Sequence, residues 1–473
     1  MSLPTCSSTF VLGVDLGTTS VKAVLLDCTT RSITDSNSLS TAADRESQAV
    51  NAKEQDPCKI IDTLNQCVTS LPRDKLHKVV GIGVSGQMHG VVLWNTNAAC
   101  EWFVSNSVGM FKPKDTSQLI TWEDGRCSSE FLSSLPQPNS HLSLSTGFGC
   151  ASLFWLQKHR PEFLSQFDAS GTIHDYVVSM LCASKGCSIS TQNAASWGYF
   201  NTVTSTWNVD ILREAGFPVH LLPEPMESGA CAGHTCSEWH GVPANTPVTV
   251  ALGDFQCSVY SSMTNRTDAV LNISTSAQLT FAMPAGFTPA CVPDALSPIA
   301  YFPYFNGSYL AVAASLNGGN VLATFVGMLK AWMHELGVEI SEASVYPQLI
   351  QAAQAQPDTD LRLIPTLLGE RHDTTSLGQL SNISPGNLSL GHVTRALCRG
   401  IMENLCSMLP PQKLLEAGVE RVVASGSGLG RNQVLRQEVE KALPLPVVYG
   451  KNVDSAVGVA LLCCDRLNTE WSS

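Results

Sequence analysis

Two aspartates mark the places in this chain where carboxylate chemistry is most readily built. The first ends an apolar run, Phe10-Val-Leu-Gly-Val-Asp15, and is followed by Leu16-Gly17-Thr18-Thr19-Ser20 before a second apolar run opens at Val21. A carboxylate at a strand end can hold Mg2+ through water. The turn behind it suits phosphate: Gly17 permits a positive φ, successive N–H groups can then point inward, and the Thr18 and Thr19 hydroxyls add neutral donors. Asp254 is the second. It follows Gly253 at the exit of Thr246-Pro-Val-Thr-Val-Ala-Leu252, where a rigid strand could hold a general base above a cleft to accept the proton of an attacking hydroxyl. Each also has a plainer reading, as a hairpin turn or as a Gly-Asp turn with no chemistry.

Between them lie two polar groupings. Val84-Ser-Gly-Gln87-Met88-His89-Gly90 joins two apolar runs, so Gln87 and His89 can reach hydroxyls with Met88 as an adaptable wall. On residue type alone His89 is more often structural. Trp122-Glu-Asp124-Gly-Arg126 offers a carboxylate, a guanidinium and an indole within five residues, a set fit for a carbohydrate or for a turn with its own ion pair.

The elements needed to position these groups alternate along the chain. Strand character is clear at 9–14, 21–27, 79–84, 91–94, 246–252, 269–273, 310–314 and 421–424. Helical periodicity is expected at 57–71, 153–158, 320–336, 347–355, 392–408 and 432–441. This is α/β alternation. The strand–turn–strand of residues 10–26 recurs loosely as Asp268-Ala-Val-Leu-Asn-Ile-Ser274-Thr275-Ser276-Ala-Gln-Leu279. Two such halves facing one cleft are what a two-domain nucleotide clamp requires.

Composition narrows the classes. A chain of 473 residues exceeds one core, and 44% hydrophobic with 14% charged residues describes a folded protein. A net charge of −12 with no Lys/Arg run excludes a general nucleic-acid binder. No apolar run approaches the roughly 20 residues of a membrane span, and Met1–Phe10 lacks a leader's charge and apolar core. The 17 cysteines form no C-x-x-C pair, which suits reduced thiols and a cytoplasmic location. Cys231, His234, Cys236 and His240 are packed too closely for a usual structural zinc site. Neither a Walker P-loop nor a protein-kinase signature is present.

The D-x-G-T-T-S-x-K opening, S-G-Q-M-H-G and W-x-D-x-R together resemble the FGGY carbohydrate kinases, the glycerol kinase/xylulokinase family, from Gly13 to Gly458. The resemblance implies an α/β fold of two actin-like (ribonuclease H-like) domains with a deep interdomain cleft, 1–253 on the sugar side and 254–473 on the ATP side. It implies Asp254 as catalytic base, with Gln87, Met88, His89, Asp124 and Arg126 on the sugar. Asp15 would serve Mg2+, and Gly17, Thr18 and Thr19 the phosphates. Ser274-Thr275-Ser276 resembles the family's second phosphate turn with Ser for the first Gly, a position that must then take negative φ or carry strain. Gly318, opening the helix after Asn317, could present N–H groups to a phosphate or act as an ordinary cap. Gly426-Ser427-Gly428, with Asn432 as a base contact or a helix cap, resembles the adenosine turn.

The expected reaction is transfer from ATP to the terminal hydroxyl of a ketose, sedoheptulose ahead of xylulose, by a monomer or homodimer with no nucleic-acid or membrane partner. Xylulose or another ketose or polyol is the alternative. A non-catalytic actin-like binding protein is the alternative of different class. Phe255 and Gln256 depart from the Asn and small residues that often follow the aspartate in xylulokinases, which suits a differently shaped, longer ketose.

Overall fold

The first hairpin forms where its apolar alternation demands one. β1 (Phe10–Leu16) and β2 (Ser20–Asp27) pair antiparallel from Phe10↔Asp27 to Leu16↔Val21, and β3 (Ser32–Ser40) continues the meander. The computed structural model describes residues 8–46, 51–105, 108–294, 296–450 and 454–469, so most of the Met1–Phe10 segment lies outside the described residues. β4 (Val79–Gly86) joins β1 in parallel, bringing Ser85 beside Asp15. β5 (Cys231–His234) and β6 (Pro247–Thr249) complete the order β5-β6-β4-β1-β2-β3.

The second half repeats the scheme. β7 (Asp268–Ile273) and β8 (Ala277–Ala282) form a hairpin, β9 (Ile299–Pro303) and β10 (Tyr309–Ser315) extend it, and β11 (Arg421–Ser425) and β12 (Val447–Tyr449) add in parallel. The shared pattern is β3-β2-β1-β4-β6 against β10-β8-β7-β11-β12, each with two antiparallel pairings followed by two parallel ones. The duplication suggested by the two turns is thus a duplication of whole sheets.

Helices cover both faces of each sheet. α1 (Pro57–Thr69) starts at an Asp56 cap with Pro57 in its first turn, and buries Ile60, Ile61, Leu64 and Val68 against the first sheet. α2 (Asp254–Ser262) begins at the candidate base, where a continuous strand 246–252 was expected. The chain forms Pro247–Thr249, then a short Leu252–Gly253 pairing with β4, and turns straight into helix. α3 (Gly319–Glu335), α4 (Glu342–Gln354) and α5 (Leu390–Met408) build the second layer, α5 burying Leu397, Ile401, Met402 and Leu405 in that core.

The last helix, α6 (Ser455–Thr469), returns to the first sheet. Ala456, Ala460, Cys463 and Cys464 pack on Val11, Val24 and Leu26. Glycines make the seat: a Cβ at Gly13 would stand 2.3 Å from the Ala456 carbonyl oxygen, and one at Gly83 2.7 Å from that of Val459. A division at residue 254 leaves both sheets whole, although α6 belongs by its packing to the first.

Candidate active site

Asp15 sits near the end of β1, where it accepts a hydrogen bond from Ser85 Oγ at 2.9 Å. Burial is the main influence on its carboxyl and raises its pKa to about 6; Ser85 and Lys22 oppose the rise and Asp454 adds to it. Lys22 is ion-paired to Asp454, at the mouth of α6. The turn closes with Gly17 N–H donating to Ser20 O at 2.9 Å. Gly17 does not take the positive φ expected of it. Its value is space, since a Cβ there would lie 3.1 Å from Ser20 O. Two side chains fix Thr18: Trp122 Nε1 donates to its hydroxyl at 3.0 Å and Gln55 Nε2 to its carbonyl at 2.7 Å.

Asp254 is the first residue of α2, and its carboxylate accepts from Phe255 N–H at 2.7 Å. Burial, then repulsion from Asp15, raises its pKa to about 7. Two close approaches set its position. α6 presses on α2 at Gly458, where a Cβ would stand 1.8 Å from Cys257 O, and Met88 Sδ would stand 2.7 Å from a Cβ on Gly253. The candidate base is therefore clamped between the last helix and the 87–89 loop.

In that loop Gln87 is buried and donates to Gln55 Oε1 at 3.0 Å. His89 adopts φ 74°, an uncommon choice for a residue with a Cβ and one that concentrates at functional sites. Its ring stacks on Phe148 at 4.4 Å, and Nδ1 donates to Ser196 O at 2.8 Å. Burial lowers its pKa to about 4, so the ring is neutral at pH 7 and Nε2 is an acceptor. It faces a cavity of about 530 Å³ lined from both halves of the chain, by His89, Phe148 and Ser196 on one side and Tyr301, Phe302 and Arg371 on the other.

Asp124 and Arg126, expected against sugar hydroxyls, pair with each other. Asp124 is fully buried; Oδ1 accepts from Arg126 Nε at 2.8 Å, and Oδ2 from Lys53 N–H at 2.7 Å and an Arg126 η-nitrogen at 2.9 Å. Arg126 also reaches Glu54 at 2.6 Å. Together these bonds hold residues 53–54 to the 122–126 turn.

On the other side, Ser274, Thr275, Gly319, Asn320, Ser427 and Gly428 converge on a cavity of about 1040 Å³ whose outer wall is α3 and α4, with Tyr346. Ser274 keeps negative φ and needs no strain; its N–H donates to Ser276 O at 2.9 Å. Ser276 and Gly318 support the turn from behind, a Cβ on Gly318 falling 2.4 Å from the Ser276 carbonyl carbon. Gly426, at φ 110°, lets β11 turn beneath Ile273. Asn432 takes the cap, one of its two expected roles: its buried side chain caps the helix Gln433–Ala442, accepting from Leu435 N–H at 2.9 Å, and it does not line the cavity.

Sequence reasoning missed Gln55, Ser85, Asp454 and Arg371. Gln55 stands in Glu54-Gln55-Asp56-Pro57, which reads only as a helix start, and Asp454 meets Lys22 across 432 residues with no local pattern to announce it.

Residues 10–261 match the N-terminal domain of the FGGY family of carbohydrate kinases. The chain is 58% identical to human (Homo sapiens) sedoheptulokinase, covering 96% of this chain and 97% of that protein, and 56% identical to the mouse (Mus musculus) sedoheptulokinase. Among solved structures, xylulose kinase from Rhodospirillum rubrum superposes with a TM-score of 0.78 at 21% identity, covering 98% of this chain and 90% of that one. Plasmodium falciparum glycerol kinase with ADP gives 0.74 at 18% identity, covering 97% and 90%. The chain belongs to the FGGY family of carbohydrate kinases, with its two-domain actin-like fold. It is an ATP-dependent sugar kinase, which sets aside the non-catalytic alternative.

Proposed function

We propose that this kinase phosphorylates the terminal hydroxyl of sedoheptulose to give sedoheptulose 7-phosphate, with Asp254 as general base. The observation that carries the reading is the clamped position of Asp254 between the last helix and the 87–89 loop, with its pKa raised to about 7 by burial and by Asp15. A base is most effective when its pKa lies near the working pH, because it is then both ionised and a willing acceptor. The 58% identity to a protein named for sedoheptulose favours that ketose.

In this reading the N-terminal sheet carries the sugar and the C-terminal sheet the nucleotide. Met88 and the Phe148-stacked His89 present an apolar wall and one acceptor, while Gln55 and Trp122 tie the Asp15–Thr19 turn to the same wall. Asp254 takes the proton of the terminal hydroxyl as its oxygen attacks the γ-phosphorus of ATP in line. Thr18 and Thr19 on one side, and Ser274, Thr275 and Ser427 on the other, offer neutral donors to phosphate oxygens. Asp15 suits Mg2+ by its donor chemistry, a hard carboxylate oxygen. Mg2+ is typically held by one or two carboxylates together with the substrate's phosphates. When bound, the ion would offset negative charge on the transferring phosphoryl group. Closing the cleft keeps water, a rival acceptor, from the γ-phosphate. We place the protein in a reducing compartment, the cytoplasm.

The test is ADP release with Mg-ATP against sedoheptulose, xylulose, ribulose, fructose and glycerol. Highest kcat/KM with sedoheptulose is the expected result. A higher value with xylulose would keep the chemistry and replace the substrate.

A further inference from the structure

One side chain joins two loops that the proposed chemistry assigns to different substrates. Gln55 is buried, and its carboxamide meets three partners. Nε2 donates to Thr18 O at 2.7 Å and to Asp44 Oδ1 at 2.9 Å, while Oε1 accepts from Gln87 Nε2 at 3.0 Å. A carbonyl and a carboxylate leave one orientation for the Gln55 amide, because only its NH2 group can donate to both. That orientation fixes Gln87 in turn: its nitrogen points at Gln55 and its Oε1 is left over. This oxygen is buried and has no hydrogen-bond partner among the described residues. A buried acceptor without a donor is costly, which favours a ligand that brings one, as a sugar hydroxyl does.

The backbone holds Gln55 in this place. The short strand Glu54–Gln55 lies between Asp44–Arg45 and Leu119–Ile120, with Gln55 paired to Asp44 on one side and to Leu119 on the other. Lys53 and Glu54, just before it, are the residues bound to Asp124 and Arg126. At its other end the contact fixes a peptide plane. The Thr18 carbonyl and the Thr19 N–H belong to one trans peptide and point in opposite directions, so a bond to the first aims the second away from Gln55. Thr19 O accepts from Thr41 N–H at 3.0 Å, which fixes the following peptide as well. The Thr19 N–H itself donates to nothing among the described residues. It is a donor held in a set direction with its acceptor still to come.

We infer that Gln55 is a positioning residue that couples sugar recognition to phosphate alignment. A hydroxyl bound at Gln87 Oε1 steadies the Gln87–Gln55 pair, and through Thr18 O that pair holds the Thr19 N–H on the phosphate. The inference rests on the reading above, in which Gln87 meets the sugar and the Asp15–Thr19 turn meets the phosphates of ATP. Gln55 touches neither substrate and acts only through the two residues it joins. Such a link works in both directions, so each substrate should tighten the binding of the other.

The test is a matrix of initial rates with Mg-ATP and sedoheptulose varied against each other. The proteins are wild type, Gln55→Glu, Gln55→Met, Gln87→Met and the double variant of the last two. In wild type the sugar KM should fall by about fivefold or more between low and saturating ATP. Gln55→Glu keeps the shape and the acceptor for Gln87 but turns an oxygen towards Thr18 O. Its kcat should fall by roughly 10- to 100-fold, and its sugar KM should no longer respond to ATP. Gln55→Met and Gln87→Met should lose the same response. The double variant should lose no more than about threefold beyond the worse single one, because both substitutions cut one link. Thermal melts show which variants are folded, and any one of the three single substitutions suffices to read the response. A side chain that merely braces the fold would give losses that multiply in the double variant and a sugar KM that still responds to ATP. Either result would overturn the inference, as would a wild type without the response. Higher turnover of wild type with xylulose would instead replace the substrate of the proposed function, and the same matrix would then be read with that ketose.

Discussion

The two hairpins that face the cleft share a backbone and differ in charge. In the first, Asp15 lies across from Lys22 on β2 and Ser85 on β4. In the second, the same positions hold Asn272, Gln278 and Ser425. Both turns close by a similar bond, Gly17 N–H to Ser20 O and Ser274 N–H to Ser276 O, each 2.9 Å. The sheets around them add strands in the same sense and order. One copy carries a carboxylate and an ammonium at the turn, and the other has lost both. On the proposed reading, the fold supplies a phosphate cradle twice, and charge decides which copy can serve a metal and a proton transfer. A neutral cradle suits a nucleotide that must bind and leave, whereas a buried carboxylate is retained where its energetic cost supports chemistry.

The sharpest way to break the comparison is at the base that only the first copy has beside it. Asp254→Asn should lower kcat by about 10²–10⁴ with KM for ATP nearly unchanged. Wild-type kcat/KM for sugar should rise as pH passes about 7, the value to which burial and Asp15 raise this carboxyl, and the variant should lose that limb. A pH profile of both proteins checks the pair of statements.

Asp15→Asn makes the first turn as neutral as the second. Turnover should fall by roughly 10²-fold, with a higher Mg2+ concentration needed for half-maximal rate. Stability should move the other way. A carboxyl whose folded pKa is raised to about 6 contributes stability at low pH that is lost as pH rises through that value. The variant should therefore be more stable than wild type at pH 8, by roughly 1–3 kcal/mol, and the gap should close towards pH 4. Denaturant melts at the two pH values would show it.

Gly426→Ala attacks the second copy's backbone. Its φ of 110° and a Cβ only 2.2 Å from Ile273 O leave no room, so the turn must shift. About 2–3 kcal/mol of stability should go with it, read as a lowered unfolding midpoint together with weakened ADP binding. The mildest change restores symmetry in the opposite sense: Asn272→Asp places a negative charge just before Ser274. KM for ATP should rise by about tenfold, the equivalent of a 1.4 kcal/mol repulsion, while the sugar KM stays put. An unchanged ATP KM would show that charge at this turn is not what separates the copies.

What could be read in the chain beforehand follows the reach of each interaction. Asp15-Leu-Gly-Thr-Thr and Asp268–Leu279 are local hairpins whose alternation and turn residues sit side by side, so their form was legible. The W-x-D-x-R segment shows the limit, because the residues that grip a sugar are also those that grip one another. Only the backbone N–H of Lys53 and the carboxylate of Glu54, arriving from elsewhere, decide that Asp124 and Arg126 are mutually engaged. Asn432 offered two roles, and its burial against Cys398 and Leu435 selects the cap. Glu370 illustrates the rest: its partners lie at Ser315, Leu316, Asn317 and Asn404, joined only by the fold.

The return of α6 to the first sheet has a consequence for how the chain is made. Synthesis runs from the N-terminus, so β1, β2 and β4 leave the ribosome long before the helix that fills the groove over Gly13 and Gly83. Until α6 is made, Val11, Val24 and Leu26 lack its cover, and α2 lacks the neighbour that presses on it at Cys257. The lobe born first thus matures last, with an apolar sheet face available to chaperones or to other nascent chains in the interval. A message truncated just before codon 455 would yield a chain with every cleft residue encoded and the helix behind Asp254 missing.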